Sequence, residues 1–493
     1  MRNHHRAAGR LALALSLVAG ASAAHAQGAK RPSKQYTIEQ FMATTSLTGA
    51  SFSADEQRLL YSSNQSGIFN VYSVSVAGGE ATPITRSTTD STFAVSYFPA
   101  DDRILYTRDD GGNEQNHLYV REVDGREKDL TPGDKLKASF AGWTPAGDAF
   151  YVRSNERDPR FFDLYRYDAK SYERKLLYKD EVGNDLGAIS RDGKWVAFSK
   201  ANSTADSDIH LWSADTGQMK HISPHEGQAD YSPEDFDPDS RYLYYTTNDG
   251  GEFMRVRRYE LATGKHEDVE KADWDVAFTQ FSHRGGYRVT AINEDGRTAL
   301  HIVDTKTGRP LALPALPAGD ITSVTIARGE GRIAFYVNGD RAPSNLYVWT
   351  IGEAQPRRLT DTLTKDIDSG DLVDSQVVRF KSFDGMTVPS IFFKPHQATA
   401  QSKAPALVWV HGGPGGQTRK GYSALIQYLV NHGYVVLGIN NRGSSGYGRT
   451  FFTAATISSD STLSTRGSFA PWSTSSGLRI RSACRSGDTL SSI

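Results

Sequence analysis

The 493 residues carry 38% hydrophobic and 23% charged side chains and a formal net charge of −1, a composition of folded globular material with room for two or three domains. Wholesale disorder is excluded. The charge balance also leaves no basic field for nucleic acid or an anionic membrane, and no acidic excess to attract a cationic partner.

In chain order, the first segment reads as an address. Arg2, His4, His5, Arg6 and Arg10 precede an apolar stretch from Leu11 to Ala24, and Ala24-His25-Ala26 puts small residues at both positions a signal peptidase reads. Residues 1–26 are expected to be a signal peptide cleaved after Ala26, because the apolar stretch falls short of the roughly 20 residues a membrane-spanning helix needs. The mature protein is then exported, periplasmic or secreted, and not inserted in the membrane. Cys484 is the sole cysteine, so no disulfide forms within the chain.

Residues 27–45 form a lead-in, and beyond them the sequence repeats with a period of about 46 residues. Each unit opens on a turn-rich cluster, runs through an alternating apolar strand, crosses a polar loop and enters a second strand. The openings read FSADEQRLLYSS at Phe52, FPADDRILYTRD at Phe98, TPAGDAFYVRSN at Thr144 and ISRDGKWVAFSK at Ile189, followed by FDPDSRYLYYTT at Phe236, FSHRGGYRVTAI at Phe281 and IARGEGRIAFYV at Ile326. Period-two alternation rich in Val, Ile, Tyr and Phe marks half-buried strands, and Asp-Gly, Gly-Gly and Pro-Asp pairs mark turns. Seven such units predict an all-β, seven-bladed β-propeller over 46–361. A β-sandwich has no reason to repeat an internal unit seven times. Asp109-Asp110 and Asp249-Gly250-Gly251 read as turns, since no stretch shows the alternate-position ligands of a calcium loop. Trp143, Trp195, Trp212, Trp274 and Trp349 read as core between blades.

From about Asp361 to Asp374 an acidic linker ends the repeat, and residues 362–452 follow a different grammar. VVRFKSF and VPSIFFK flank Asp384-Gly385 as a hairpin. ALVWVHGG from Ala406 and YVVLGIN from Tyr434 are apolar strands around a helical stretch, Tyr422 to Asn431. That order predicts a parallel sheet covered on both faces. Two Gly-rich turns end those strands: His411-Gly412-Gly413-Pro414, and Asn441-Arg442-Gly443-Ser444 continuing to Gly448. Glycines at the carboxyl end of a parallel strand let backbone amides point at developing negative charge, although a tight strand-to-helix turn needs the same glycines.

The repeat, the hairpin at Asp384-Gly385, HGGPGG at His411 and NNRGSSGYG at Asn440, in this order, resemble the prolyl oligopeptidase family, particularly its acylaminoacyl-peptidase and dipeptidyl-peptidase-like bacterial members. YTIEQFM from Tyr36 is similar to that family's lead-in, so the likeness runs from Tyr36 to Phe452. It implies a β-propeller followed by an α/β-hydrolase domain, and a serine peptidase whose propeller admits short peptides. It implies no metal and no organic cofactor. It makes His411, Gly412 and Gly413 the oxyanion-loop candidates, with the Gly413 amide as donor, and Arg442, Gly443 and Ser444 a second active-site turn.

The nucleophile of such enzymes sits on a G-x-S-x-G elbow, followed by the triad Asp and His. No G-x-S-x-G occurs in the 493 residues, and the nearest miss, Gly443 to Tyr447, has tyrosine in place of the second glycine. Asp384 and His432 precede the place of the serine and read as a hairpin-turn aspartate and a helix-end histidine. Residues 453–493 are rich in Ser and Thr, lack Lys, Glu, Tyr, Val and His, and show no periodicity. A disordered terminus is one reading. The other is a shifted reading frame: family members tend to continue here with Ala-Asp-His-Lys-like residues, and losing the first base of the Asp codon yields a string like Thr456-Ile457-Ser458. The expectation is an incomplete hydrolase domain and no catalysis. The alternative function is a periplasmic propeller that binds without cleaving.

Overall fold

The computed structural model describes residues 33–413 and 415–454. The expected signal segment, Cys484 and the tail beyond Ala454 lie outside the described residues.

Among the described residues, seven antiparallel sheets follow one another along the chain, spanning 47–83, 92–129, 138–178, 185–221, 231–270, 276–304 and 320–358. Each is a meander whose neighbouring strands are adjacent in sequence, which is the architecture of a propeller-like fold. The apolar alternation forms the second and third strands of each, as in Arg58–Ser63 and Asn70–Ser75 of the first sheet. Tight turns join first to second strands, and Gly193 (φ +70°) shows the left-handed backbone they need. Every pairing of a first strand with a second contains a register shift, for example between Thr48 and Ser51. Such bulges bend and twist the strand. The sixth sheet has three strands. Pro310, Pro314 and Pro317 occupy the stretch where a fourth would pair, and proline cannot donate to a ladder. Only the bridge Val303 to Pro310 forms there.

The core lies between sheets. Phe98 and Leu105 of the second pack with Phe150 and Val152 of the third. Leu59 and Tyr61 of the first pack with Ala334, Tyr336 and Leu346 of the seventh. Tyr336 Oη also donates to the Gly49 carbonyl at 2.5 Å. The ring of sheets is thus joined by packing and exchanges no strand. Trp143, Trp195, Trp212, Trp274 and Trp349 all enter such clusters. Trp274 also meets the second unit, its ring 6.1 Å from that of Tyr447.

Beyond the linker, a second sheet system has the order Ser375–Lys381, Thr387–Phe393, Val435–Ile439, Ala406–Val410. The expected parallel pairing forms between Ala406–Val410 and Val435–Ile439, and the hairpin joins antiparallel to Val435–Ile439. The expected cover on both faces needs correction, since the outer strand Ala406–Val410 is open, with Leu407 38% and Val410 61% exposed. The cause is the placement of helix Ala424–Asn431, capped by the Ser423 side chain. It buries Ile426 and Val430 against Ile391, Phe393 and Val436, over the inner strands.

The lead-in crosses to this second unit. Thr37 and Gln40 form a capping box on helix Ile38–Met42, whose Phe41 is buried with Tyr36, Ile367 and Leu372. Tyr36 Oη donates to Asp371 at 2.6 Å, and its backbone N–H to Asn431 at 3.0 Å. Among the described residues, no helix is long and apolar enough to cross a membrane.

Candidate functional site

The two Gly-rich turns meet. His411, at the end of Ala406–Val410, lies 2.7 Å through Nε2 from the Ser444 hydroxyl, and its Nδ1 lies 2.8 Å from the Gly412 carbonyl. Ser445 N–H donates to the Gly416 carbonyl at 3.2 Å. A Cβ on Gly416 would come within 2.0 Å of the Gly412 oxygen, so only glycine closes this turn. Gly412 and Gly413 are exposed beside it. A Cβ built on Gly412 would meet nothing within 4 Å and one on Gly413 only the Gly415 nitrogen at 3.8 Å, so this backbone is open to close approach.

Ser444 has the histidine contact of an activated nucleophile but not its setting. It is 0% exposed, and its hydroxyl donates to the Asn441 carbonyl at 2.6 Å. This serine ties the two turns together. Arg442 pairs with Asp384, donates to Ser382 Oγ at 3.1 Å and stacks on Phe383 at 4.6 Å. Asp384 is therefore committed to joining the hairpin tip to the second turn. His432 caps helix Ala424–Asn431, its Nδ1 3.0 Å from the Tyr428 carbonyl.

Asn440, fully buried, precedes the second turn and acts as a piece of backbone. Its Oδ1 accepts from Thr418 N–H at 2.7 Å, and its Nδ2 donates to the Thr418 carbonyl at 3.0 Å and to Tyr447 Oη at 2.8 Å. This clamp delivers Gln417 and Arg419 to the propeller. Arg419 donates to both oxygens of Asp320, at 3.0 and 3.1 Å, and to Asn293 and Thr298, each at 2.9 Å. Glu252 accepts from Thr450 N–H and Oγ1, and Asp275 from Gly448 N–H at 3.1 Å. None of these propeller residues was singled out from the sequence. Their partners lie about a hundred or more positions away, and each looks like an ordinary turn residue.

Between the fifth and sixth sheets and the second turn lies a cavity of about 390 Å³, lined among others by Asp230, Ser232, Glu234, Asp275, Ser445 and Arg449. Glu234 accepts from Thr246 Oγ1 at 2.8 Å, but burial outweighs such bonds and pushes its carboxyl up to about 7. Asp275 is raised by the same cause. Its lining thus sets one guanidinium, Arg449, beside the carboxyls of Asp230, Glu234 and Asp275.

This arrangement has counterparts. The family described as prolyl oligopeptidase, N-terminal beta-propeller domain, matches residues 86–340. Dipeptidyl aminopeptidase BIII of Pseudoxanthomonas mexicana is 28% identical over 467 residues, covering 90% of this chain and 67% of that protein. The uncharacterized peptidase YuxL of Bacillus subtilis (strain 168) is 26% identical, covering 85% and 73%. Among solved structures, a puromycin-hydrolyzing peptidase of Mycobacterium tuberculosis superposes with a TM-score of 0.68 at 14% identity, covering 86% and 71%. A structure from a study of two prolyl endopeptidases gives 0.69 at 15%, covering 85% and 65%. The chain thus spans about two thirds of the length of several proteins it matches.

Proposed function

The chain belongs to the prolyl oligopeptidase family, and on that premise we propose that it is the substrate-screening and oxyanion-loop portion of an exported serine peptidase acting on short peptides. Its seven sheets are read as seven blades over 46–361, and 362–452 as the opening of an α/β-hydrolase domain. The observation that carries this reading is the junction of the two Gly-rich turns, His411 against Ser444, held to the ring by Arg419 and Asp320.

In this reading the exposed Gly412-Gly413 backbone would face the scissile carbonyl and stabilise the oxyanion through the Gly413 amide. The cavity at Glu234 and Asp275 would take a cationic amino terminus, since an ammonium group would offset carboxylates that burial holds partly neutral. That chemistry fits a dipeptidyl aminopeptidase, the activity named for the relative from Pseudoxanthomonas mexicana. No G-x-S-x-G occurs in these 493 residues, and in this reading none of their serines is the nucleophile. The second reading, binding without cleavage, draws on the burial of Ser444.

The test is hydrolysis. A chain in which prolyl-oligopeptidase-type residues follow Phe452, assayed with dipeptidyl p-nitroanilides, is expected to turn over the free-amino substrates and to lose activity when the amine is acylated. Equal rates on blocked and free substrates would remove the amino-terminal reading, and no turnover would remove the peptidase reading.

A further inference from the structure

The first strand of the seventh sheet, Asp320–Ile326, begins at the residue that holds Arg419 and ends two residues before Arg328. At about 3.3 Å per residue its two ends lie about 20 Å apart. The first strand of the sixth sheet likewise runs from beside Asp275, which holds Gly448, to a turn bearing His283. These first-to-second-strand turns therefore sit at the end of the ring remote from the second unit.

At that far end, side chains bond across the ring. Arg328 Nη2 of the seventh sheet donates to the Pro145 carbonyl of the third at 2.9 Å. The His283 ring of the sixth sheet faces the same carbonyl. Arg191 of the fourth sheet donates through Nη2 to the Ser282 carbonyl at 2.8 Å and through Nη1 to that of His283. Adjacent turns are tied as well. Glu330 accepts from Ser282 Oγ at 2.5 Å and from Arg284 N–H at 2.7 Å, and Glu56 accepts from Gly329 N–H. The turns are also closely packed, since a Cβ on Gly147 would lie 2.8 Å from Pro99 and 3.6 Å from Arg328 Nη2. Burial, with Arg328 and Arg191 nearby, pushes His283 down to about 4, so a neutral ring stands beside the two guanidinium groups.

We propose that Arg328 and Arg191 close the far mouth of the ring, so that a peptide reaches the Glu234 cavity only from the side of the second unit. The two arginines are then specificity-determining residues that act by denying axial passage. The identity of the excluded ligand rests on the peptide reading above; the closure does not.

The closure is testable in the full chain without any catalysis. Ser323 lies exposed half way along Asp320–Ile326, and Ser323→Cys in a Cys484→Ser background places one thiol inside the ring. N-ethylmaleimide is expected to label it, and a polymer-tagged maleimide to label it slowly. Arg328→Ala with Arg191→Ala is expected to raise the polymer-tagged rate about tenfold, the factor that losing about 1.4 kcal/mol of charge-assisted hydrogen bonding gives to an opening equilibrium. An unchanged polymer-tagged rate in a folded double variant overturns the proposal. Should the double variant fail to fold, Arg328→Gln, which keeps length and polarity but no charge, is expected to give a smaller increase, and no increase overturns the closure equally. Failure of the peptidase reading would appear instead in the p-nitroanilide assay and leave these rates untouched.

Discussion

Arg419 shows how one side chain can hold two units together. Its guanidinium satisfies Asp320, whose side chain is only 5% exposed, and that carboxylate also accepts from Thr298 N–H at 2.7 Å. Arg419→Ala would leave a buried carboxylate short of its cation, a loss of about 2–3 kcal/mol. A Tm several degrees lower and faster trypsin cleavage in the 362–374 linker are expected; an unchanged melting curve would contradict this role. Glu234 behaves in the opposite sense. Its folded pKa, about 7, lies above the ordinary carboxyl value of 4.5, so the folded state holds more protons than the unfolded state between those values. Stability therefore falls as pH rises from about 4.5 to about 7 and levels off above. Glu234→Gln keeps an oxygen for Thr246 and removes the titration. Melting curves from pH 4.5 to 8 should show a smaller decline and a higher Tm at pH 8 for the variant, and identical profiles would refute the burial argument.

At the scale of elements, the outer strand Ala406–Val410 is the exposed liability. It presents Leu407, Val408, Trp409 and Val410, all at least 36% exposed, and carries no charge or proline to discourage pairing. Val408→Lys is expected to lower concentration-dependent light scattering while leaving the far-UV spectrum intact; scattering equal to the parent would show that this edge does not drive association. The elements also divide by how well they were legible. The second and third strands of each sheet stand out by their apolar residues, buried in a run in Arg58–Ser63 and at every second position in Asp206–Ser213. The first strands carry a bulge that breaks the alternation, joined in Leu47–Phe52 by Gly49, and the fourth, such as Glu127–Asp129, are short or form an edge. Neither class gives a periodic signal. The Gly-rich turns were legible from their glycines, yet the hydrogen bond from His411 to Ser444 spans 33 positions and follows from the parallel pairing of their strands.

For the whole molecule, the repeat made the propeller-like fold readable, since a unit repeated along the chain has one economical way to bury its faces. The junction was not readable, because Glu252, Asp275, Asn293 and Asp320 acquire their roles only when the chain returns to them from residues 417–450. On the proposed function, this polypeptide supplies the peptide-screening ring and the oxyanion-side turns but no nucleophile. Among the described residues, Ser444 is the one hydroxyl with a histidine partner at the candidate site, and it is buried and committed to Asn441. Acyl transfer requires an accessible, activated hydroxyl. The most direct measurement is mass spectrometry of the 493-residue chain after incubation with a fluorophosphonate. No covalent adduct is expected, and an adduct on Ser444 or Ser445 would show a working nucleophile in the second Gly-rich turn.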